Sequence, residues 1–192
     1  KGTDLSAGRQ IGFAACIAGT LLQRPDYASK FFDWAGEYPL LAVILGVVAL
    51  TSVIGIINGI IIAYLKVPPF IATLGMQTLV YGITLIYSRA EPIGGLRADY
   101  SNLATGKLFG ISYLIWFVYN HTRHGKYMYA IGGNENAAEV SGVNTNAVKI
   151  RIYATASILY ALAGILLSPK SGGASVNLGN GWELEAIAAC TI

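Results

Sequence analysis

Residues 39–65, PLLAVILGVVALTSVIGIINGIIIAYL, decide the fold class: 27 consecutive residues without a charge. As one α-helix this run is long enough to cross about 30 Å of hydrocarbon with some tilt. Outward from it, residues 70–87 add 18 uncharged positions and residues 152–167 add 16, both near the lower limit for a span. Residues 11–22 and 108–119 give runs of 12, a length that reads as interfacial, re-entrant or part of a longer helix. The composition agrees, with 54% of residues hydrophobic and 12% charged. A soluble domain carries about 25% charged residues, so this chain has too little polar surface to coat a water-soluble globule. The expectation is an all-α, polytopic transmembrane helix bundle with interrupted or re-entrant segments, in contact with membrane lipid.

The connections follow from residue chemistry. Lys66-Val67-Pro68-Pro69 removes two successive backbone donors, which ends a helix and makes a tight link. Polar loops are expected at 23–38, 88–107 and 120–151. Residues 168–181, SPKSGGASVNLGNG, call for irregular backbone, which membrane depth tolerates only inside protein or along a cavity. Trp34, Tyr38, Tyr64, Tyr87, Trp116, Tyr119 and Trp182 fall at segment ends and suit an aromatic interface belt. Lys1 aside, lysines and arginines divide six against six between the two sides, so charge alone assigns no orientation.

Few residues carry chemistry. A formal net charge of +3 with no basic stripe argues against a nucleic-acid partner. Cys16 and Cys190 lie in apolar runs and read as buried thiols. His121 and His124 have no carboxylate or thiol beside them, so no metal site is expected. No G-x-x-x-x-G-K-[ST] run occurs; no cofactor is expected, and ATP-driven work would need a separate subunit.

Polar residues inside the apolar runs are the pathway candidates. Asn58 lies within Gly55-x-x-x-Gly59, a small-residue face suited to close helix packing and interhelical hydrogen bonding. Thr73, Gln77 and Thr84, at i, i+4 and i+11, make a polar stripe on one helix side. Residues 2–7 and 181–186 share Gly-x-acid-Leu-x-Ala, each leading into a short apolar run. Paired interrupted segments point to the lining of a transport pathway. Asp4 and Glu183 are then helix caps or pathway-edge acids. An ion-coupled secondary transporter using those acids is the alternative, and partner dependence separates the two readings. From Asn134 the chain runs NENAAEVSGVNTNAVKIRI, a short amphipathic stretch with Ala137, Ala138 and Val140 on one side. Asn136, Glu139 and Ser141 lie on the other, and Gly142 ends it.

Four ordered blocks carry a resemblance: GTDLSAG at 2–8, GIINGIIIAYLKVPPFIATLG at 55–75, TRHGKYMYAIGGNENAAEVSGV at 122–143 and NLGNGWELEAIAA at 177–189. Together they resemble the monosaccharide-importer permeases of the ribose/galactose ABC family, most strongly its galactose/methyl-galactoside members. The resemblance implies a permease subunit of the bacterial inner membrane that pairs with a second copy. It would receive sugar from a periplasmic or extracellular sugar-binding protein and be driven by an ATP-binding subunit. It also implies that 120–151 is a cytoplasmic coupling loop, similar to an EAA-type loop, with Asn136, Ala137, Ala138 and Gly142 at the ATPase. Asn136 stands where that motif has its leading Glu, and the trailing Leu-Pro is missing. Residues 1–192 are expected to be a single transmembrane permease domain and a fragment of a longer one, with the stretch between 88 and 120 shortened.

Overall fold

The computed structural model describes residues 2–34, 36–105 and 109–191. The helices are α1 (Ala7–Leu21), α2 (Leu40–Ala63), α3 (Pro69–Ser88), α4 (Ala98–Thr105), α5 (Phe109–His121), α6 (Arg123–Gly133), α7 (Glu135–Val140), α8 (Thr145–Lys170) and α9 (Trp182–Thr191). Among the described residues only two isolated bridges, Gln23 with Leu96 and Ile93 with Ala174, are strand-like. The molecule is an all-α membrane helix bundle. Helices α2, α3 and α8 are long and apolar enough to cross a membrane. Leu41, Leu45, Ile60, Leu79 and Ile86 stand exposed on α2 and α3, a surface that hydrocarbon solvates and water does not.

Helix α8 antiparallels α2 because glycine allows the approach. A Cβ on Gly59 would come within 2.6 Å of the Ile150 Cα, and one on Gly55 would strike the Tyr153 carbonyl and Ser157. The core beside this crossing joins Ala14, Ala18 and Leu22 of the α1 region to Val43 and Val47 of α2 and Ala161 and Ile165 of α8.

The structure sharpens three sequence expectations. The run 11–22 is part of a longer helix, α1, one of the alternatives its length left open, and that helix is enclosed by α2, α3 and α8, with Ala14, Ala15, Cys16 and Ala18 fully buried. Its 15 residues reach only about 22 Å, which suffices because protein, rather than lipid, surrounds it. The run 152–167 undercounts α8, which starts at Thr145 and carries Lys149 and Arg151 in its first two turns. The stretch 88–107 keeps irregular backbone over 89–97 before the short helix α4, and 120–151 is largely helical rather than a loop. In the first, α4 is anchored by buried Tyr100, whose hydroxyl donates to the Ile165 carbonyl at 2.8 Å. In the second, side-chain oxygens of Thr122, Asn134 and Asn144 accept from the first turns of α6, α7 and α8.

Candidate functional site

Two interrupted segments meet near the middle of the bundle. Residues 2–6 form a non-helical strap, turning at Leu5 and Ser6, that enters beside Pro69 and Tyr153, at the end where α2 stops and α8 starts. The strap gives way to α1 opposite Tyr160, halfway along α8. From the other end, residues 171–181 pair with Ile93 through Ala174 at 2.8 Å in both directions. They then fold back along α1, with the Leu178 and Gly179 carbonyls against Gly12 and Gly8. There α9 begins. Side chains hold this non-helical backbone, as the membrane interior requires. Thr73 Oγ1 accepts from the Leu5 N–H at 3.0 Å and donates to the Thr3 carbonyl at 3.3 Å.

Around the strap lies a buried polar network. Asp4 Oδ1 accepts from the Ser6 N–H at 2.9 Å and from the Ser6 hydroxyl at 2.6 Å. Its other oxygen accepts from the Tyr160 hydroxyl at 3.3 Å. Ser6 Oγ in turn accepts from Gln10 Nε2 at 2.8 Å and Asn58 Nδ2 at 3.2 Å. One turn further along, Gln77 Nε2 donates to Glu183 Oε1 at 3.2 Å. Arg9 stacks 4.0 Å above the Tyr81 ring and donates to the Val176 carbonyl. Among the described residues, Gln10 Oε1, Asn58 Oδ1 and Glu183 Oε2 are buried acceptors without a donor. Such groups are uncommon in folded proteins, and these three lie around Ser6 and the first turn of α1.

Of the residues singled out in sequence, Asp4, Asn58, Thr73, Gln77 and Glu183 come together in this region. Thr84 does not: it is buried two turns away and donates to the Val80 carbonyl of its own helix. Asp4 binds Ser6, the residue before α1, rather than a helical N–H. Glu183 lies inside α9 and turns its carboxylate toward Gly8 in the first turn of α1, where the helix dipole favours negative charge. Ser6, Gln10 and Tyr160 were missed. Ser6 and Gln10 have helical i, i+4 spacing, a signal available in the sequence but common in any helix.

The coupling-loop residues lie apart from this network, at the end where the strap enters. Helix α7 is six residues long. Asn134 Oδ1 caps its start at Ala137 N, 3.1 Å. At its end Gly142 takes φ +84°, with the Gly142 N–H on the Glu139 carbonyl and the Val143 N–H on the Ala138 carbonyl. That paired arrangement is a Schellman stop. Lys149 of α8 reaches Glu135 at 2.5 Å. Ala138 is buried, Asn136 and Ala137 face outward, and Val140 is 90% exposed. At the foot of this unit His121 stacks on Phe117 with ring centroids 5.0 Å apart. Burial, and secondarily Arg151, hold His124 below its ordinary pKa.

A helix bundle with interrupted segments meeting at a buried polar network is the architecture of a membrane permease. The chain belongs to the family described as branched-chain amino acid transport system / permease component, whose model matches residues 1–192. It is 46% identical over 209 aligned positions to the galactose/methyl galactoside import permease protein of Escherichia coli (strain K12), covering 100% of this chain and 62% of that protein. It is 36% identical to the ribose import permease protein of Bacillus subtilis (strain 168), covering 100% and 59%. The chain thus spans about three fifths of the length of the curated relatives it matches. No solved structure matches it.

Proposed function

We propose that this chain forms the membrane-spanning part of a permease subunit in an ATP-driven monosaccharide importer of the galactose/methyl galactoside type, in a bacterial inner membrane. The observation that carries the reading is the group of buried acceptors on Gln10, Asn58 and Glu183, in a chain similar along its whole length to sugar import permeases. Sugar hydroxyls are donors, and each of these oxygens has unused capacity to accept from one. A wet, weakly binding passage suffices when a separate sugar-binding protein supplies affinity. Residues 120–151 act as the cytoplasmic coupling unit, with Asn136, Ala137 and Gly142 at the surface that meets the ATP-binding subunit and Ala138 packed beneath it. ATP is hydrolysed on that subunit and not on this chain. A second permease copy completes the pathway.

The test is uptake of labelled D-galactose into vesicles holding the permease that contains this chain, with its binding protein, with and without the ATPase subunit. Uptake that vanishes without the ATPase supports the reading. Uptake that persists on a proton gradient alone overturns it in favour of an ion-coupled carrier.

A further inference from the structure

A cleft of about 720 Å³ opens beneath the strap, between the α2–α3 link, the α6–α7 unit and the first turns of α8. Its volume is that of a small-molecule site. One wall is polar, with Lys66, Glu135, Asn136, Glu139, Asn146 and Lys149. The other is apolar, with Ile62, Pro69, Met128 and Tyr153.

The charges on the polar wall balance. Glu135 and Lys149 pair with each other, leaving one further cation, Lys66, and one further anion, Glu139. Among the described residues neither forms an ion pair. A wall of this kind offers donors and acceptors to hydroxyls without net attraction for an anion or a cation. The facing apolar wall suits the C–H face of a sugar ring. The cleft is also continuous with the network above it: its roof is Gly2 against Pro69 and Tyr153. The next strap residues, Thr3 and Leu5, hold Thr73. Its side wall is α7 itself, through Glu135, Asn136 and Glu139.

We propose that this cleft is a binding site for a neutral monosaccharide, placed between the end of the buried network and the inner face of α7. The proposal rests on the permease reading for its choice of ligand and deepens it.

The test uses the whole chain in nanodiscs, where both membrane faces are accessible, with Asn146→Cys in the cleft and Val140→Cys as the control outside it. Maleimide reaction rates are measured for each against the unsubstituted chain, with D-galactose, inorganic phosphate or neither. D-galactose at about twice its Kd is expected to slow reaction at position 146 about threefold by mass action, to leave position 140 unchanged, and phosphate is expected to protect neither. Equal rates at position 146 with and without D-galactose, equal slowing at both positions, or protection by phosphate alone would each overturn the proposal. Labelling needs no ATPase, so its failure is separate from a failure of ATPase-dependent uptake. Protection lost with uptake intact removes the cleft site. Protection retained with ATPase-independent uptake removes the importer reading.

Discussion

At position 8 a hydrogen is the only side chain that fits. A Cβ there would lie on both the Gly179 carbonyl and the Glu183 carboxylate, so the two interrupted segments can close on each other only through glycine. Glu183 itself is 5% exposed and has Gln77 as its side-chain donor. Replacing Gln77 with leucine removes that bond and one polar group of the network. Gln77→Leu is expected to lower sugar uptake severalfold while membrane insertion and yield stay near normal. Unchanged uptake would remove Gln77 from the pathway. Single polar residues in apolar runs were readable one by one, because a buried amide in a membrane helix needs a reason. Which of them converge was not readable. Thr84 looks equivalent to Thr73 along the sequence, yet one satisfies its own helix and the other holds the strap.

The elements differ in how they are held, and two predictions follow. Six residues are too few for a stable isolated helix, so α7 depends on its ends: the Asn134 cap, the Gly142 stop and the Glu135–Lys149 pair. Valine at position 142 must take a left-handed conformation costing about 1–2 kcal/mol. Gly142→Val is expected to weaken co-purification of the ATPase subunit about five- to thirtyfold, with the spans still inserted. Normal co-purification would place the docking surface elsewhere. Helix α6 carries His124, whose lowered pKa means that the unfolded chain binds more protons than the folded one. Its contribution is complete above the unfolded value near 6.5, and falls as pH drops through that value toward the lower, folded one. His124→Gln should flatten the dependence of thermal midpoint on pH below about 6.5 and leave it unchanged at higher pH. An unaltered slope would assign the acid sensitivity to another group.

For the whole molecule, the α2–α8 crossing is the frame on which both interrupted segments hang. Gly59→Leu drives a side chain into the Ile150 backbone, an overpacking change worth about 1–3 kcal/mol or more. Thermal unfolding in detergent is expected to shift to lower temperature and the spans to become protease-sensitive; an unchanged midpoint would show that the helices separate without cost. The run at 39–65, the paired prolines and the Gly-x-x-x-Gly face determined by themselves that the chain is a membrane bundle, with a span at α2 and a sharp link to α3. A span's length, polarity and stop are local properties, set by the bilayer and by the backbone's own chemistry. The echoed Gly-x-acid-Leu-x-Ala segments also marked the two interrupted elements that meet at the buried polar network. Only the tertiary structure decided that the first is a non-helical strap and the second part of a helix. It also decided that α1 is enclosed, that Glu183 serves the start of α1, and that α7 stands beside a cleft. The reason is that a short apolar run or a lone acid has no fixed environment until neighbouring helices supply one. Burial, partner and hydrogen bond are then properties of the packing rather than of the residue.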